Sequence, residues 1–210
     1  MTKAILFDLW GTLVETGVRS PLKRAKEILQ IELPFSDYVL RMEKVMMARP
    51  FPDLKEAFLA VAQEFAVPCN DEQLELLIGM WNKSWMLARP YAEVRDVLAE
   101  LQGQYILILV SNTDCFSVAK VLEKWELSKY FNSIYLSCET GLLKTDPALF
   151  EKIFQDHQLT KEDCLLVGDS LESDMRAAQN AGIRSVLVDP RNTREFEPKI
   201  KNLLQLDRYL

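Results

Sequence analysis

Apolar residues follow two patterns along this chain, and the alternation between them lays out the fold. Short unbroken apolar runs read as strands buried on both faces, as central parallel strands are. Ala4-Ile5-Leu6-Phe7, Tyr105 to Val110 and Cys164 to Val167 are such runs, with Ser133 to Cys138 weaker and Arg184 to Val188 last. Between them apolar residues recur at helical spacing. Tyr91, Val94, Val97, Leu98 and Leu101 predict a helix closed by Gly103 as its C′ residue. Phe116 to Trp125 predicts another, and Pro147 opens a third with Leu149, Phe150, Ile153 and Phe154 inward. A helix ends at Ala181-Gly182, and the tail from Arg191 is expected to add one with Phe196, Ile200, Leu203 and Leu204 on its face.

Residues 15–88 interrupt this alternation and read as helices alone. Ser20-Pro21 predicts an N-cap with proline at the first helical position, ahead of Leu22, Ala25, Ile28 and Leu29. A second helix runs from Ser36 towards Arg49, where Pro50 and Pro52 stop it. A third carries Leu54, Phe58, Val61 and Phe65 on one face, and a fourth carries Leu74, Leu77, Ile78, Trp81 and Trp85. The two tryptophans continue a core stripe and read as helix packing. The whole predicts an α/β protein with a doubly wound parallel, Rossmann-like sheet. Residues 1–14 and 89–210 form the sheet domain, and 15–88 a smaller helical domain above the strand tips.

Composition narrows the function classes. A net charge of −6 without a basic run argues against a nucleic-acid surface. No apolar run approaches the roughly 20 residues that span a bilayer, and the first strand follows Met1-Thr2-Lys3 without room for a signal peptide. Cys69, Cys115, Cys138 and Cys164 form no C-x-x-C pair and have only His157 as an imidazole partner, which disfavours structural zinc. Reduced thiols suit a cytoplasmic protein. Oligomeric state is not encoded in any of these features.

The candidate chemistry lies where the strands end. Asp8 follows the first run, Ser111-Asn112 the second, Lys144 the loop after the weaker strand, and Asp169 and Asp174 follow Gly168. Parallel strands bring all these ends to one edge, where open α/β sheets bind ligands. Carboxylates crowded there call for a divalent cation, and oxygen-only ligands favour Mg²⁺. A lysine and a hydroxyl supply donors for a transferring phosphoryl group, and a central carboxylate can attack phosphorus to form an aspartyl-phosphate.

This set resembles the haloacid dehalogenase-like hydrolase superfamily over nearly the whole chain. Phe7-Asp8-Leu9-Trp10-Gly11-Thr12-Leu13 matches its first motif, and Leu109-Val110-Ser111-Asn112 its second. Lys144-Thr145-Asp146-Pro147 matches the third, and Gly168-Asp169 through Asp174 the fourth. The resemblance implies a helical (C1-type) cap in the insert, which supplies substrate specificity. It implies Asp8 as nucleophile and metal ligand, with Asp169, Asp174 and the backbone carbonyl at Trp10 completing the Mg²⁺ site. It also implies that Ser111, Asn112 and Lys144 contact the phosphoryl oxygens, the substrate being a small phosphate ester.

Position 10 departs from the motif. The family's phosphatases carry there a second aspartate that protonates the leaving group and then activates water. An indole does neither near neutral pH, and general acid–base help is worth about 10²–10⁴-fold. An uncompensated Trp10 therefore predicts slow turnover. The family's haloacid dehalogenases also carry an aromatic residue there and act without a metal on a haloacid, so 2-haloacid dehalogenation is the alternative. Against it, the Asp169/Asp174 pair is retained. Phosphonate hydrolysis would need a cap lysine that no motif here identifies. A further alternative is an impaired phosphate-binding or scaffold protein, in which Trp10→Asp would raise turnover sharply.

Overall fold

The computed structural model describes residues 2–210. Its centre is β1 (Ala4–Phe7), which is wholly buried, and the chain then makes β2 (Val14–Glu15). Four helices follow: α1 (Pro21–Ile28), α2 (Phe35–Met46), α3 (Leu54–Glu64) and α4 (Asp71–Met86). Next come β3 (Arg89–Pro90), α5 (Val94–Leu101), β4 (Ile106–Ser111), α6 (Val118–Lys124), β5 (Ser133–Leu136) and the one-turn α7 (Ser137–Thr140). The chain ends with α8 (Pro147–His157), β6 (Cys164–Gly168), α9 (Arg176–Ala181), β7 (Arg184–Val188) and β8 (Lys199–Ile200).

The six strands of the main sheet lie in the order β5-β4-β1-β6-β7-β8 and are all parallel. Successive strand residues point to opposite faces, so each face has its own core. Ile5, Phe7, Leu107, Leu109, Leu165 and Val167 meet α5 and α6 on one side. Leu6, Ile108, Val110 and Leu166 meet α8 and α9 on the other. This is the doubly wound α/β arrangement, and it explains why β1, β4 and β6 are apolar up to their tips. No helix among the described residues is long and apolar enough to cross a membrane.

The four helices of the insert enclose a separate core, centred on Tyr38, Met42, Phe58, Leu77 and Trp81. Phe58 and Trp81 meet edge to face, ring centres 5.5 Å apart. A capping box starts α4: Asn70 Oδ1 accepts from Gln73 N at 2.8 Å, and Gln73 Oε1 accepts from Asn70 N at 3.1 Å. Gln73 Nε2 also donates to the Ile28 carbonyl at the end of α1. We expect Asn70→Ala to cost about 1 kcal/mol, read as a lower urea midpoint at unchanged slope.

Four sequence expectations are corrected. Ile200 lies in β8 beside β7 (Val188↔Ile200), so β7 is not the last strand. Pro198 has no N–H to continue a tail helix through Phe196 and Ile200. Instead a tight 3₁₀ segment, Leu203–Tyr209, buries Leu203 and Leu206 while Leu204 faces outward. Ser20 precedes α1 but accepts no capping bond; its φ of 50° is left-handed, not the extended conformation of a capping residue. The strand expected through Cys138 stops at Leu136, where α7 begins. The antiparallel ribbon β2–β3, with Val14↔Pro90 and Glu15↔Arg89, was not anticipated; both crossings into the helical insert run through it.

Candidate active site

The carboxyl edge of the sheet and the insert helices α1, α2 and α4 enclose a cavity of about 300 Å³. Its floor carries Asp8, Lys144, Asp169 and Asp174, and its insert wall carries Leu22, Phe35, Val39, Met47, Trp81 and Trp85. Asp8 leaves the end of β1 with its N–H bonded to the Val167 carbonyl of β6 at 2.9 Å. Lys144 is 3% exposed and donates to Asp8 Oδ1 and Asp174 Oδ1, each at 2.5 Å. An ammonium has three donors, so one remains for another oxygen.

Asp8, Asp169 and Asp174 each offer a carboxylate oxygen within 4.8 Å of the others. Glycines make this crowding possible. A Cβ at Gly11, whose φ is +83°, would sit 2.5 Å from Asp169 Oδ2; one at Gly168 would sit 2.3 Å from Asp174 Cγ. Asp174 is set by a wide π-type turn, Leu171–Met175, and its Oδ2 accepts from Ser170 N at 3.0 Å. Such turns recur at functional sites.

The electrostatics follow from crowding and burial. Burial pushes the Asp8 carboxyl up to about 6, opposed by Lys144 and reinforced by Asp174. Asp169 is pushed up to about 8, by burial and then by Asp8 and Asp174. Its side chain keeps 27% exposure, so solvent tempers that push, and Arg194 stands 3.6 Å from its Oδ2. Burial alone would lower Lys144, but the Asp174 and Asp8 charges outweigh it and hold the ammonium above its ordinary value. The donor set suits a hard divalent cation: three carboxylates, one with a buried oxygen, Asp8 Oδ2, that has no hydrogen bond among the described residues. The hydrogen bonds of the turn after β1 link Leu13 and Val14 to Leu9 and Gly11 to Val14, and leave the Trp10 carbonyl out.

The other sequence-derived residues are also at this edge. Ser111 is buried, and its Oγ has no hydrogen-bond partner among the described residues. Asn112 Oδ1 accepts from Lys144 N at 2.8 Å, while its Nδ2 donates to Glu43 Oε2 at 2.7 Å and to Ser173 Oγ at 3.0 Å. Both amide hydrogens are therefore used. Trp10 spends its indole N–H on Thr113 Oγ1 at 3.1 Å. Trp81 and Trp85 line the cavity as well as packing helices, and Trp81 donates to Asp114 Oδ2 at 3.0 Å.

Sequence reasoning missed Glu43, Asp114 and Arg194. Glu43 had a readable signal: with Val39, Met42 and Met46 it keeps the i, i+3, i+4, i+7 spacing of a buried stripe, yet it is charged. Asp114 caps the next turn through Phe116 N, Ser117 N and Ser117 Oγ. Arg194, which also bonds the Asp169 carbonyl, lies in the irregular segment between β7 and β8.

Residues 2–182 match the haloacid dehalogenase-like hydrolases. A phosphoglycolate phosphatase of Vibrio cholerae is 28% identical over 191 residues, covering 87% of this chain and 82% of that one. Among solved structures, a 2-haloacid dehalogenase from Pseudomonas syringae is 21% identical with a TM-score of 0.65, covering 99% of this chain and 97% of that one. A HAD family enzyme from Bacteroides thetaiotaomicron, in complex with magnesium and inorganic phosphate, is 20% identical with a TM-score of 0.60, covering 94% of this chain and 98% of that one.

Proposed function

This chain belongs to the haloacid dehalogenase-like hydrolases, and we propose that it hydrolyses a small phosphate monoester through a phosphoenzyme on Asp8. The observation that carries this reading is the state of Asp8. One oxygen is fixed by Lys144, and the other is buried at the tip of a rigid strand without a hydrogen bond among the described residues. A carboxylate so held is a positioned nucleophile. Phosphatase relatives support the reading, and a cavity of about 300 Å³ is at the small end for a ligand site.

In this mechanism Asp8 Oδ2 attacks phosphorus, the ester P–O bond breaks, and water later cleaves the aspartyl-phosphate to release phosphate. Lys144 keeps Asp8 aimed and turns its third N–H to a phosphoryl oxygen. Ser111 Oγ, unpartnered at the adjacent strand end, donates to another. Asn112 reaches a phosphoryl oxygen only by giving up Glu43 or Ser173; otherwise it positions Lys144 through the backbone. Asp8, Asp169, Asp174 and the Trp10 carbonyl would hold Mg²⁺, which when bound supplies positive charge beside the phosphoryl oxygens. The helical insert, residues 15–88, acts as the cap that chooses the organic part of the substrate. Free thiols at all four cysteines suit a cytoplasmic setting.

Aromatic Trp10 favours one second reading, halide displacement from a 2-haloacid by the same Asp8. Phosphate release from a panel of phosphomonoesters, with Mg²⁺ and with EDTA, separates the two. We expect release that depends on Mg²⁺ and vanishes in Asp8→Asn. A folded protein that frees chloride from 2-chloropropionate but no phosphate would overturn the phosphatase reading. One that does neither would point to a binding role.

A further inference from the structure

We propose that Glu43, on helix α2 of the insert, is the residue that gives a proton to the leaving group and then takes one from the attacking water. The inference rests on the phosphatase reading above. It begins from a deficit: Trp10 cannot exchange a proton, and its one N–H is already bonded to Thr113. A carboxyl group from another part of the chain lines the same cavity.

Glu43 is 6% exposed and sits in the apolar stripe of α2, a costly place for a carboxylate without a cation of its own. Lys144 is the nearest buried cation, and its short contacts go to Asp8 and Asp174. Glu43 is instead held through one oxygen, Oε2, by Asn112 Nδ2 at 2.7 Å. Asn112 follows Ser111 and also bonds the backbone of Lys144, so Glu43 is tied to the groups around the phosphoryl position. Its other oxygen, Oε1, makes no hydrogen bond among the described residues. The carboxyl is thus oriented at one oxygen and available at the other.

The direction of reaction supports the placement. Displacement at phosphorus runs in line, so attack from Asp8 on the sheet sends the leaving oxygen towards the opposite wall. That wall is the insert, and Glu43 belongs to it. The ionisable groups facing Glu43 are Lys144, Asp174 and Asp8, with Glu172 of the turn after β6 also lining the cavity. Burial pushes its carboxyl up to about 7, opposed by the Asn112 hydrogen bond and Lys144 and reinforced by Asp174 and Asp8. A group near neutrality can both donate and accept.

The protons and electrons balance. As Asp8 Oδ2 bonds to phosphorus, the P–O bond to the alcohol breaks, and the leaving oxygen takes the Glu43 proton to depart as the neutral alcohol. Glu43, now a carboxylate, accepts a proton from water as the water oxygen bonds to phosphorus. The bond between phosphorus and Asp8 breaks, which releases phosphate and restores both carboxyl groups.

A purely structural Glu43 would only fasten the insert to the sheet, and Glu43→Gln distinguishes the roles because glutamine still accepts from Asn112. We would compare kcat/KM of wild type and Glu43→Gln on an alkyl phosphate, whose alkoxide needs a proton, and on 4-nitrophenyl phosphate, whose phenolate does not. The expected loss is about 10²-fold or more on the alkyl ester and under about tenfold on the aryl ester. Adding Trp10→Asp to Glu43→Gln should restore the alkyl-ester rate, which a folding defect would not permit. Equal losses on both esters, or no loss on the alkyl one, would overturn the assignment while leaving the phosphatase reading intact. If wild type releases phosphate from neither ester, that reading falls and the role of Glu43 falls with it.

Discussion

Asp8→Asn is expected to lower phosphate release by roughly 10⁴-fold or more, the scale on which loss of a nucleophile acts, and to yield a folded protein that is no less stable. Asparagine fills the same space and still offers Lys144 an oxygen, but it has no charge to lose to burial. In the wild type the folded Asp8 titrates near 6, above its ordinary 3.8, because burial disfavours the carboxylate. A raised carboxyl value contributes stability at low pH that is lost as pH climbs through 3.8 to about 6. At pH 7 without metal the charged Asp8 is therefore a cost, and the variant should melt higher than wild type. At pH 4 the two should converge. Thermal melts in EDTA at both values, beside the activity assay, check this. A variant that keeps its turnover would remove Asp8 from the chemistry.

Lys144→Met should destabilise the fold by about 3–5 kcal/mol at pH 7, the usual result of removing one partner from a buried charge cluster. Methionine keeps most of the side-chain volume, so the loss is electrostatic. Asp8 and Asp174, whose side chains are 7% and 1% exposed, would face each other without the ammonium between them. Without the ammonium that opposes burial, Asp8 would titrate higher still, so the deficit should shrink as pH falls and it becomes neutral. Urea unfolding at pH 7 and pH 5 reads this directly. A deficit that is the same at both values would mean Lys144 stabilises by packing alone. Activity should fall about 10²–10³-fold as well, since a phosphoryl contact is lost.

These groups could be found from the sequence because the sheet does most of the placing. β1, β4 and β6 are buried on both faces, so each reads as an apolar run whose end is marked by a polar residue. Parallel pairing then puts Asp8, Ser111 and Asp169 on one edge without any knowledge of the loops. What escaped notice depends on partners remote in sequence. β8 is a two-residue strand that exists only because β7 lies beside it. The β2–β3 ribbon joins segments some seventy residues apart. Arg194 reaches Asp169 by the path of an irregular tail. Glu43 is a different case: its buried spacing was visible in α2, but Asn112, the residue that explains it, stands at the tip of β4, far away in sequence.

The β2–β3 ribbon bears on how chains of this kind diversify. The backbone leaves the sheet for the helices at Glu15 and returns at Arg89, and these two residues are paired neighbours. A tight turn joining them would close an ordinary hairpin. Any folded segment whose ends lie a strand spacing apart could be spliced between them. Such an exchange leaves Asp8, Lys144 and Asp169 on strands and loops that it does not touch. Recombination at this one point can give the same nucleophile a new roof, and because Glu43 stands on the insert, an exchanged roof must bring its own proton donor with it.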